Sequence, residues 1–144
     1  MSEADRLARR VAEAMLEREG TGPAWGLVIE QARAGYALVS MRLRADMLNG
    51  HAIAHGGMIF SLADSAFAYA CNSYNETTMA QQASIVFLAP AHDGEVLIAE
   101  AREASRTGRS GVYRVSVKTA EGRAIAEFTG LSRTTGGPVL TPSD

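Results

Sequence analysis

The spacing of apolar residues along this chain predicts two helices and six strands. Apolar positions recur at helical spacing through residues 4–18, and Gly20-Thr21-Gly22-Pro23 ends that helix. Alternating apolar and polar positions indicate strands at 25–31 and 35–44. The second helix, from about Gly56 to Asn72, is apolar most of the way round, which is typical of a buried helix. Turn residues divide the remaining chain into four strands, at 78–89, 95–105, 110–120 and 123–133.

This order of elements predicts an α+β fold. Short connections favour antiparallel neighbours, because parallel pairs need long crossovers. A buried helix needs cover on most sides, and a curved antiparallel sheet supplies it. The free edges of that sheet favour oligomerisation. We expect an N-terminal helix and turn at 1–22, one domain at 23–135 and a flexible tail at 136–144.

Composition and charge narrow the class of protein. The 144 residues suffice for one domain with its own core, and the net charge of −2 includes no basic block that would bind nucleic acid. The single cysteine, Cys71, excludes an intrachain disulfide framework and fits a reducing compartment. No run approaches the roughly 20 apolar residues of a membrane span, and the N-terminus lacks the apolar core of a signal peptide. We expect a cytoplasmic protein without membrane partners.

Asp64 is the residue that breaks this pattern. It lies within the apolar second helix, and the chain has no Lys or Arg between Arg44 and Arg102. A charged carboxylate is rarely buried unless it is paired or hydrogen-bonded. Asp64 is therefore a functional candidate. The structural alternatives are a carboxylate that caps a loop or pairs with a distant arginine.

The start of the same helix offers a second chemical group. His55-Gly56-Gly57 precedes Asp64 and leaves backbone amides at a helix N-terminus, where the partial positive charge favours a developing oxyanion. Glycine permits close approach of a substrate because it has no side chain. Acyl hydrolysis also needs a group that attacks the carbonyl carbon or takes a proton from the attacking water, and a carboxylate can do either. For His55 a structural role at the helix start competes with direct catalysis, and we assign it a positioning role.

Longer motifs carry a resemblance to a known family. The run from Asn49 to Ala68, together with Ile85–Ala91 and Arg106–Ser110, resembles the hotdog-fold acyl-CoA thioesterases, and most closely their phenylacetic-acid-degradation branch. The resemblance covers about residues 24–134. It implies a long central helix wrapped by a curved antiparallel sheet of about six strands. It also implies CoA thioesters of aryl or medium-sized acyl groups as substrates, with no cofactor beyond the CoA of the substrate.

The resemblance also assigns roles to individual residues. It implies that Asp64 is the nucleophile or general base and that the amide of Gly56 polarises the thioester carbonyl. Asn49 would help to place the attacking water or the carbonyl. Gly57 is also a candidate substrate-binding residue, and its expected contribution is mainly the backbone conformation at the entry to the helix. Proteins of this kind are usually dimers or larger assemblies of dimers, so the resemblance implies a homotetramer built as a dimer of dimers.

Helix geometry predicts a dimer independently of the family. Gly56 and Asp64 are eight residues apart, so they lie about 12 Å apart along one helix at about 1.5 Å rise per residue. Both must reach one thioester with contacts of about 3 Å. Two antiparallel helices across a twofold axis meet this requirement, because each lends its Gly56 end to the Asp64 of the other. We therefore expect an obligate homodimer with two composite sites.

Other polar residues are weaker candidates. Arg106, Arg109 and Ser110 flank a predicted turn and either contact CoA phosphates or form a solvated loop. Gln82 and Ser84 begin the strand after the helix and face either a partner's thioester or solvent.

Residue spacing argues against a cysteine nucleophile and against a metal site. Cys71 lies about 24 Å along the helix from His55, so we interpret it as a core residue and not as a nucleophile. His51, His55 and His92 match no metal-binding spacing, so we expect no metal.

Two other functions compete with hydrolysis. A hotdog dehydratase or hydratase uses a His with a carboxylate from another subunit, at a longer spacing than the nine residues between His55 and Asp64. A non-catalytic acyl-CoA sensor is the other alternative, although an isolated buried acid would cost stability there without performing chemistry.

Overall fold

The computed structural model describes all 144 residues as one antiparallel sheet with a helix packed on one face. None of its helices has the length and hydropathy needed to cross a membrane. The helices are α1 (Glu3–Arg18), α2 (Thr21–Trp25) and α3 (Gly56–Cys71), with a 3-10 turn at Ala45–Met47. The strands are β1 (Val28–Arg33), β2 (Tyr36–Arg42), β3 (Thr78–Phe87), β4 (Val96–Thr107), β5 (Ser110–Thr119) and β6 (Ala124–Thr134).

The six strands lie in the order β1-β2-β4-β5-β6-β3, and every pairing is antiparallel. After β2 the chain passes through α3 and enters the sheet at the far edge as β3. Gly108 and Gly122 have φ of +61° and +94° at the β4–β5 and β5–β6 turns, a conformation that glycine adopts without strain. The predicted α+β architecture, including the β5–β6 hairpin, is confirmed.

Helix α3 forms the centre of the core. Its buried face includes Leu62, Ala63, Ala66 and Phe67, each at most 1% exposed. A Cβ on Gly130 of β6 would lie 2.8 Å from the Phe67 ring, so glycine there lets the ring pack against the sheet. Burying a side chain such as Leu62 or Phe67 contributes about 1.5–3 kcal/mol to folding. The position of α3, and therefore of Asp64, is fixed by this packing.

One part of the predicted element order is wrong. Residues 21–25 form α2, and β1 begins at Val28 rather than at Trp25. Pro23 lies in the first turn of α2, where its missing N–H costs no helical hydrogen bond. Gly26, with φ of +67°, ends the helix and turns the chain into β1. Trp25 consequently packs against the core from a helix instead of extending the strand.

The two edges of the sheet differ in their cover. At the β1 edge, Arg9 of α1 donates from Nη1 to the Ile29 carbonyl at 3.2 Å, and Asp5 accepts from the Ala34 amide at 3.1 Å. The β3 edge has no such cover within the chain. Large apolar side chains are exposed along and just after β3, namely Met79, Val86, Phe87 and Leu88. Exposed apolar edge strands are surfaces for pairing with another chain.

The last residues of the chain make hydrogen bonds to earlier elements. Asn75 Oδ1 accepts from the amides of Val139 and Leu140 at 3.0 and 2.9 Å. Arg18 at the end of α1 pairs with Asp144. The domain limits given above, with a flexible tail at 136–144, stay a prediction.

Candidate active site

Asp64 lies in the middle of α3, half-buried and without a partner. Its carboxylate accepts no hydrogen bond and joins no ion pair within the chain, so neither a loop cap nor an arginine pair explains it. The nearby Ser61 hydroxyl donates instead to the Gly57 carbonyl at 2.7 Å. Burial raises the pKa of Asp64 above its usual value, because desolvation penalises the charged form. A carboxylate held in this way is a stronger base than a solvated one.

A small cavity adjoins this carboxylate. Its volume is about 190 Å³. One wall belongs to α3 and the other to the end of α1 and to α2. The lining residues are Met15, Glu19, Thr21, Trp25, Ser61, Asp64, Ser65, Ala68 and Tyr69.

The start of α3 leaves one backbone donor unused. His55 is the N-cap, and its Nδ1 accepts from the Gly57 amide at 2.9 Å. The amides of Met58 and Ile59 donate to the His55 carbonyl. The Gly56 amide donates to no group within the chain. Gly56 is therefore the available donor at this N-terminus, whereas the predicted binding residue Gly57 has its amide engaged.

The N-cap bond makes His55 testable as a positioning residue. Replacing an N-cap side chain by alanine costs about 0.5–2 kcal/mol. We expect His55→Ala to lower the free energy of unfolding by about 1 kcal/mol, and His55→Asn to retain most of it because asparagine caps well. Urea denaturation of the variants measures both. Equal stability of the two variants would show that the Nδ1 bond contributes nothing.

A second cavity, of about 450 Å³, lies beside Gly56. A Cβ on Gly56 would lie 3.1 Å from Cζ of Phe87, so the helix start and this aromatic ring are in close contact. The Asn49 Oδ1 accepts from the amides of His51 and Ile53 at 2.8 and 3.4 Å, which shapes the loop before the helix. The lining residues are Asn49, Ile53, Ala54, Gly56, Ile59, Phe87, Leu88, Ala89 and Pro90.

The two candidate groups therefore lie on different cavities of one chain. No residue lines both cavities. Gly56 and Asp64 belong to the same continuous helix, which keeps them about 12 Å apart along its axis. The structure brings Asn49 and Gly56 together, and separates both from Asp64.

The remaining predicted residues line neither cavity. Arg106 stacks over the Tyr74 ring at 3.6 Å and lies 3.9 Å from Glu103. Arg109 is exposed and its side chain forms no ion pair, and Ser110 opens β5 beside it. Gln82 and Ser84 are exposed on β3, alternating with the inward-facing Ala83 and Ile85. Their roles in binding stay predictions.

Cys71 behaves as a core residue. Burial raises its pKa to about 12, which keeps the thiol protonated. Its Sγ lies 3.6 Å from the Ala68 carbonyl, and the negative charge of Asp64 on the same helix raises the pKa of the thiol further instead of activating it. No group of three His, Cys, Asp or Glu side chains is arranged to hold a metal ion.

Sequence reasoning missed several residues that line these cavities. Phe87 and Leu88 beside Gly56 lie in the Ile85–Ala91 motif, which was a signal for them. Tyr69 lines the Asp64 cavity, whereas Phe60 packs against Phe128 at 5.3 Å between ring centroids. The residues from α1 and α2 gave no local signal.

Comparison with known proteins identifies the class. The family model described as the thioesterase superfamily matches residues 51–126, which include His55, Gly56 and Asp64. The chain belongs to the thioesterase superfamily. The predicted resemblance to hotdog-fold acyl-CoA thioesterases, and the prediction of an enzyme of this class, are confirmed.

Individual relatives are similar over most of the chain. The acyl-coenzyme A thioesterase PaaI of Escherichia coli K12 is 40% identical over 128 residues, which span 89% of this chain and 91% of the relative. The structure of the E. coli PaaI protein from the phenylacetic acid degradation operon aligns with a TM-score of 0.93 at 38% identity, over 94% of this chain and 99% of that one. A hypothetical thioesterase of Streptococcus pneumoniae with coenzyme A aligns with a TM-score of 0.75 at 26% identity, over 78% and 90% of the two chains.

Proposed function

We propose that this protein hydrolyses acyl-CoA thioesters to the free acid and CoA, in a site shared by two subunits. The observation that carries the proposal is the unpartnered, half-buried carboxylate of Asp64 on the same helix as the unused amide of Gly56. Asp64 attacks the carbonyl carbon or activates the attacking water, and the Gly56 amide stabilises the oxyanion. The similarity to a named acyl-coenzyme A thioesterase supports the choice of a CoA thioester.

The proposed chemistry follows from these two groups. The Gly56 amide of one subunit donates to the thioester carbonyl and stabilises the negative charge that develops on its oxygen. Asp64 of the other subunit either attacks the carbonyl carbon, forming an anhydride that water then opens, or takes a proton from the attacking water. In both routes a tetrahedral intermediate collapses, the C–S bond breaks and CoA leaves as the thiolate, which takes up a proton on release; in the first route this collapse is the step that forms the anhydride. Water supplies the oxygen, so the proposal needs no cofactor.

The neighbouring residues take supporting roles in this proposal. His55 fixes the helix start through its bond to the Gly57 amide, which leaves Gly56 as the donor. Asn49 holds its loop with Oδ1 and keeps its side-chain NH₂ available to orient water or the carbonyl. Arg109, whose guanidinium has no ion-pair partner, is the stronger candidate to contact CoA phosphates, because Arg106 is engaged with Tyr74 and Glu103.

The shared site requires a dimer, and the free β3 edge supports one. The cavity beside Gly56 is bounded by Phe87 and Leu88, which are also exposed at this edge. A second copy that pairs with β3 would cover these apolar side chains and bring its own α3 towards the cavity. Gln82 and Ser84 would then lie at the same interface.

Aryl-acetyl groups are the proposed substrates, with phenylacetyl-CoA and its hydroxylated forms first. Support comes from the relative encoded with phenylacetic acid degradation. A thiol-release assay on phenylacetyl-, hydroxyphenylacetyl-, benzoyl-, acetyl- and hexanoyl-CoA tests this, and we expect the aryl-acetyl thioesters to have the highest kcat/KM. Thioester binding without thiol release would overturn the proposed hydrolysis and favour a sensor or a dehydratase.

The dimer has its own test at the β3 edge. Val86 is 59% exposed there, and lysine on an edge strand opposes pairing. We expect Val86→Lys to sediment as a monomer and to lose more than about tenfold in kcat/KM, because half of each site is removed.

Val28→Lys is the matched control, since Val28 is 51% exposed on the opposite edge strand. It should keep the wild-type assembly, and sedimentation also separates a dimer from a dimer of dimers. A fully active monomeric Val86→Lys would contradict the shared site.

A further inference from the structure

The wall of the Asp64 cavity opposite α3 comes from residues 15–25, at the end of α1 and in α2. Met15 and Trp25 are its large apolar side chains, and Glu19 and Thr21 are its polar ones. All four lie outside the residues that match the family model. This segment therefore forms part of the cavity at the reacting carboxylate while lying outside the region that carries the family motif.

Glu19 connects this wall to α3. The Tyr69 hydroxyl donates to Glu19 Oε1, and the Thr21 hydroxyl donates to Glu19 Oε2 at 3.0 Å. Burial, followed by the neighbouring Glu19 carboxylate, raises the pKa of Tyr69, so the phenol stays protonated and remains a donor. One carboxylate thus joins α1, α2 and α3 at the edge of the cavity.

Close packing keeps the wall in place. A Cβ on Gly22 would overlap Cδ1 of Leu16, so α2 packs closely against α1 at this glycine. The Leu27 amide donates to the Gly22 carbonyl at 2.9 Å, and Arg44 Nη1 donates to the Ala24 carbonyl at 3.0 Å. The position of Trp25 relative to Asp64 is therefore determined by several independent contacts.

The volume of the cavity sets the size of what it can hold. It measures about 190 Å³. A cavity of roughly 150 Å³ in another protein binds benzene. The space beside Asp64 is therefore large enough for one aromatic ring or a short aliphatic chain, and it is small for a fused ring system. A thioester whose carbonyl carbon meets Asp64 places its acyl group next to that carbonyl, at this cavity.

We infer that Trp25 and Met15 determine which acyl groups the enzyme accepts, and that Glu19 and Tyr69 are positioning residues that hold Trp25 in place. The inference rests on the proposed thioester hydrolysis. The substrate class it names is CoA thioesters whose acyl group carries at most one ring. The cavity beside Gly56 is then left for the thioester sulfur and the adjoining part of CoA.

Two opposite substitutions test the cavity wall. The readout is the kcat/KM for naphthylacetyl-CoA divided by that for phenylacetyl-CoA, with acetyl-CoA as the small reference. We expect Trp25→Ala to raise this ratio by about tenfold or more, since small changes in a substrate pocket change selectivity by that factor. Met15→Trp should fill the cavity and lower kcat/KM for phenylacetyl-CoA by about tenfold, while acetyl-CoA hydrolysis persists.

The outcomes separate this inference from the proposed function. Unchanged ratios in folded Trp25→Ala and Met15→Trp overturn the inference and leave the hydrolysis standing. A ratio that changes in Ile53→Ala instead places the acyl group in the cavity beside Gly56, and also overturns it. Wild-type protein that releases no thiol from any thioester overturns the proposed function itself.

Tyr69→Phe and Glu19→Gln test the positioning residues. Phenylalanine removes the hydroxyl donor and keeps the ring, so we expect the selectivity ratio to rise in the direction of Trp25→Ala. Glutamine keeps an oxygen that can accept from Tyr69, and Glu19→Gln should retain a ratio close to wild type. A Tyr69→Phe enzyme with the wild-type ratio would overturn the role of this hydrogen bond.

Discussion

Asp64→Asn is expected to lower kcat by about 10²–10⁴-fold, because it removes the carboxylate that we propose as nucleophile or general base. Asparagine has nearly the same shape, so binding of the thioester should change little and KM should stay close to wild type. Thiol release from phenylacetyl-CoA measures both parameters. Cys71→Ala is the control, since that residue of the same helix is buried with a protonated thiol and should keep its kcat.

The same substitution should raise stability at neutral pH. Burial raises the pKa of Asp64 in the folded protein above its value in the unfolded chain. Ionisation therefore destabilises the folded state, fully so above the folded pKa and not at all below the unfolded one. We expect Asp64→Asn to have a higher Tm than wild type at pH 7, with the difference shrinking as the pH falls through the folded pKa towards the ordinary aspartate pKa of 3.8. A lower Tm across this range would show that Asp64 has a stabilising partner.

A single-turnover reaction in ¹⁸O-labelled water separates the two roles left open for Asp64. If its carboxylate attacks the carbonyl carbon and water then opens the anhydride at the Asp64 carboxyl carbon, the first molecule of acid released carries an oxygen from the protein and the label enters Asp64. If it activates water, the first acid released carries the label. Both results are compatible with the loss of activity in Asp64→Asn, and mass spectrometry of the product distinguishes them.

The sequence predicted the parts of the site that depend on local pattern. The apolar periodicity of α3 and the lone charge within it identify Asp64 because both properties belong to consecutive residues. The turns between strands were also predictable from their glycines, because a positive φ at Gly108 and Gly122 restricts the residue type. The availability of the Gly56 amide, with that of Gly57 engaged, depends on the rotamer of His55 and required the structure.

Long-range contacts explain what the sequence did not predict. Glu19 and Tyr69 are 50 residues apart, and no local periodicity indicates that they meet. The segment 21–25 was expected to be turn and strand, because a five-residue helix has too few positions to display a helical period. The wall of the Asp64 cavity is built from these residues, so its composition followed only from the packing of α1 and α2 against α3.

Gly56→Pro is expected to have the second large effect on kcat. It removes the amide donor, and the helix can still start at this residue. Proline is favoured at the first helical position, and His55 before it has ψ of 133°, which a following proline accepts. Removing one oxyanion donor costs about 10²–10³-fold in kcat. Gly56→Ala is the matched control, because its Cβ meets Phe87 in the same way while the N–H remains. We expect Gly56→Pro to be slower than Gly56→Ala by that factor.

Mixing the two inactive variants then tests whether the site is shared. In a dimer of one Asp64→Asn subunit and one Gly56→Pro subunit, one composite site carries both substitutions, and the other has an intact Asp64 and an intact Gly56. Random reassembly of equal amounts makes half of the dimers mixed, so about a quarter of the wild-type activity should return. If each site were built within one subunit, every site in the mixture would carry one substitution and no activity would return. Recovery of activity therefore requires that Gly56 of one subunit act with Asp64 of the other, as their separation of about 12 Å along α3 demands.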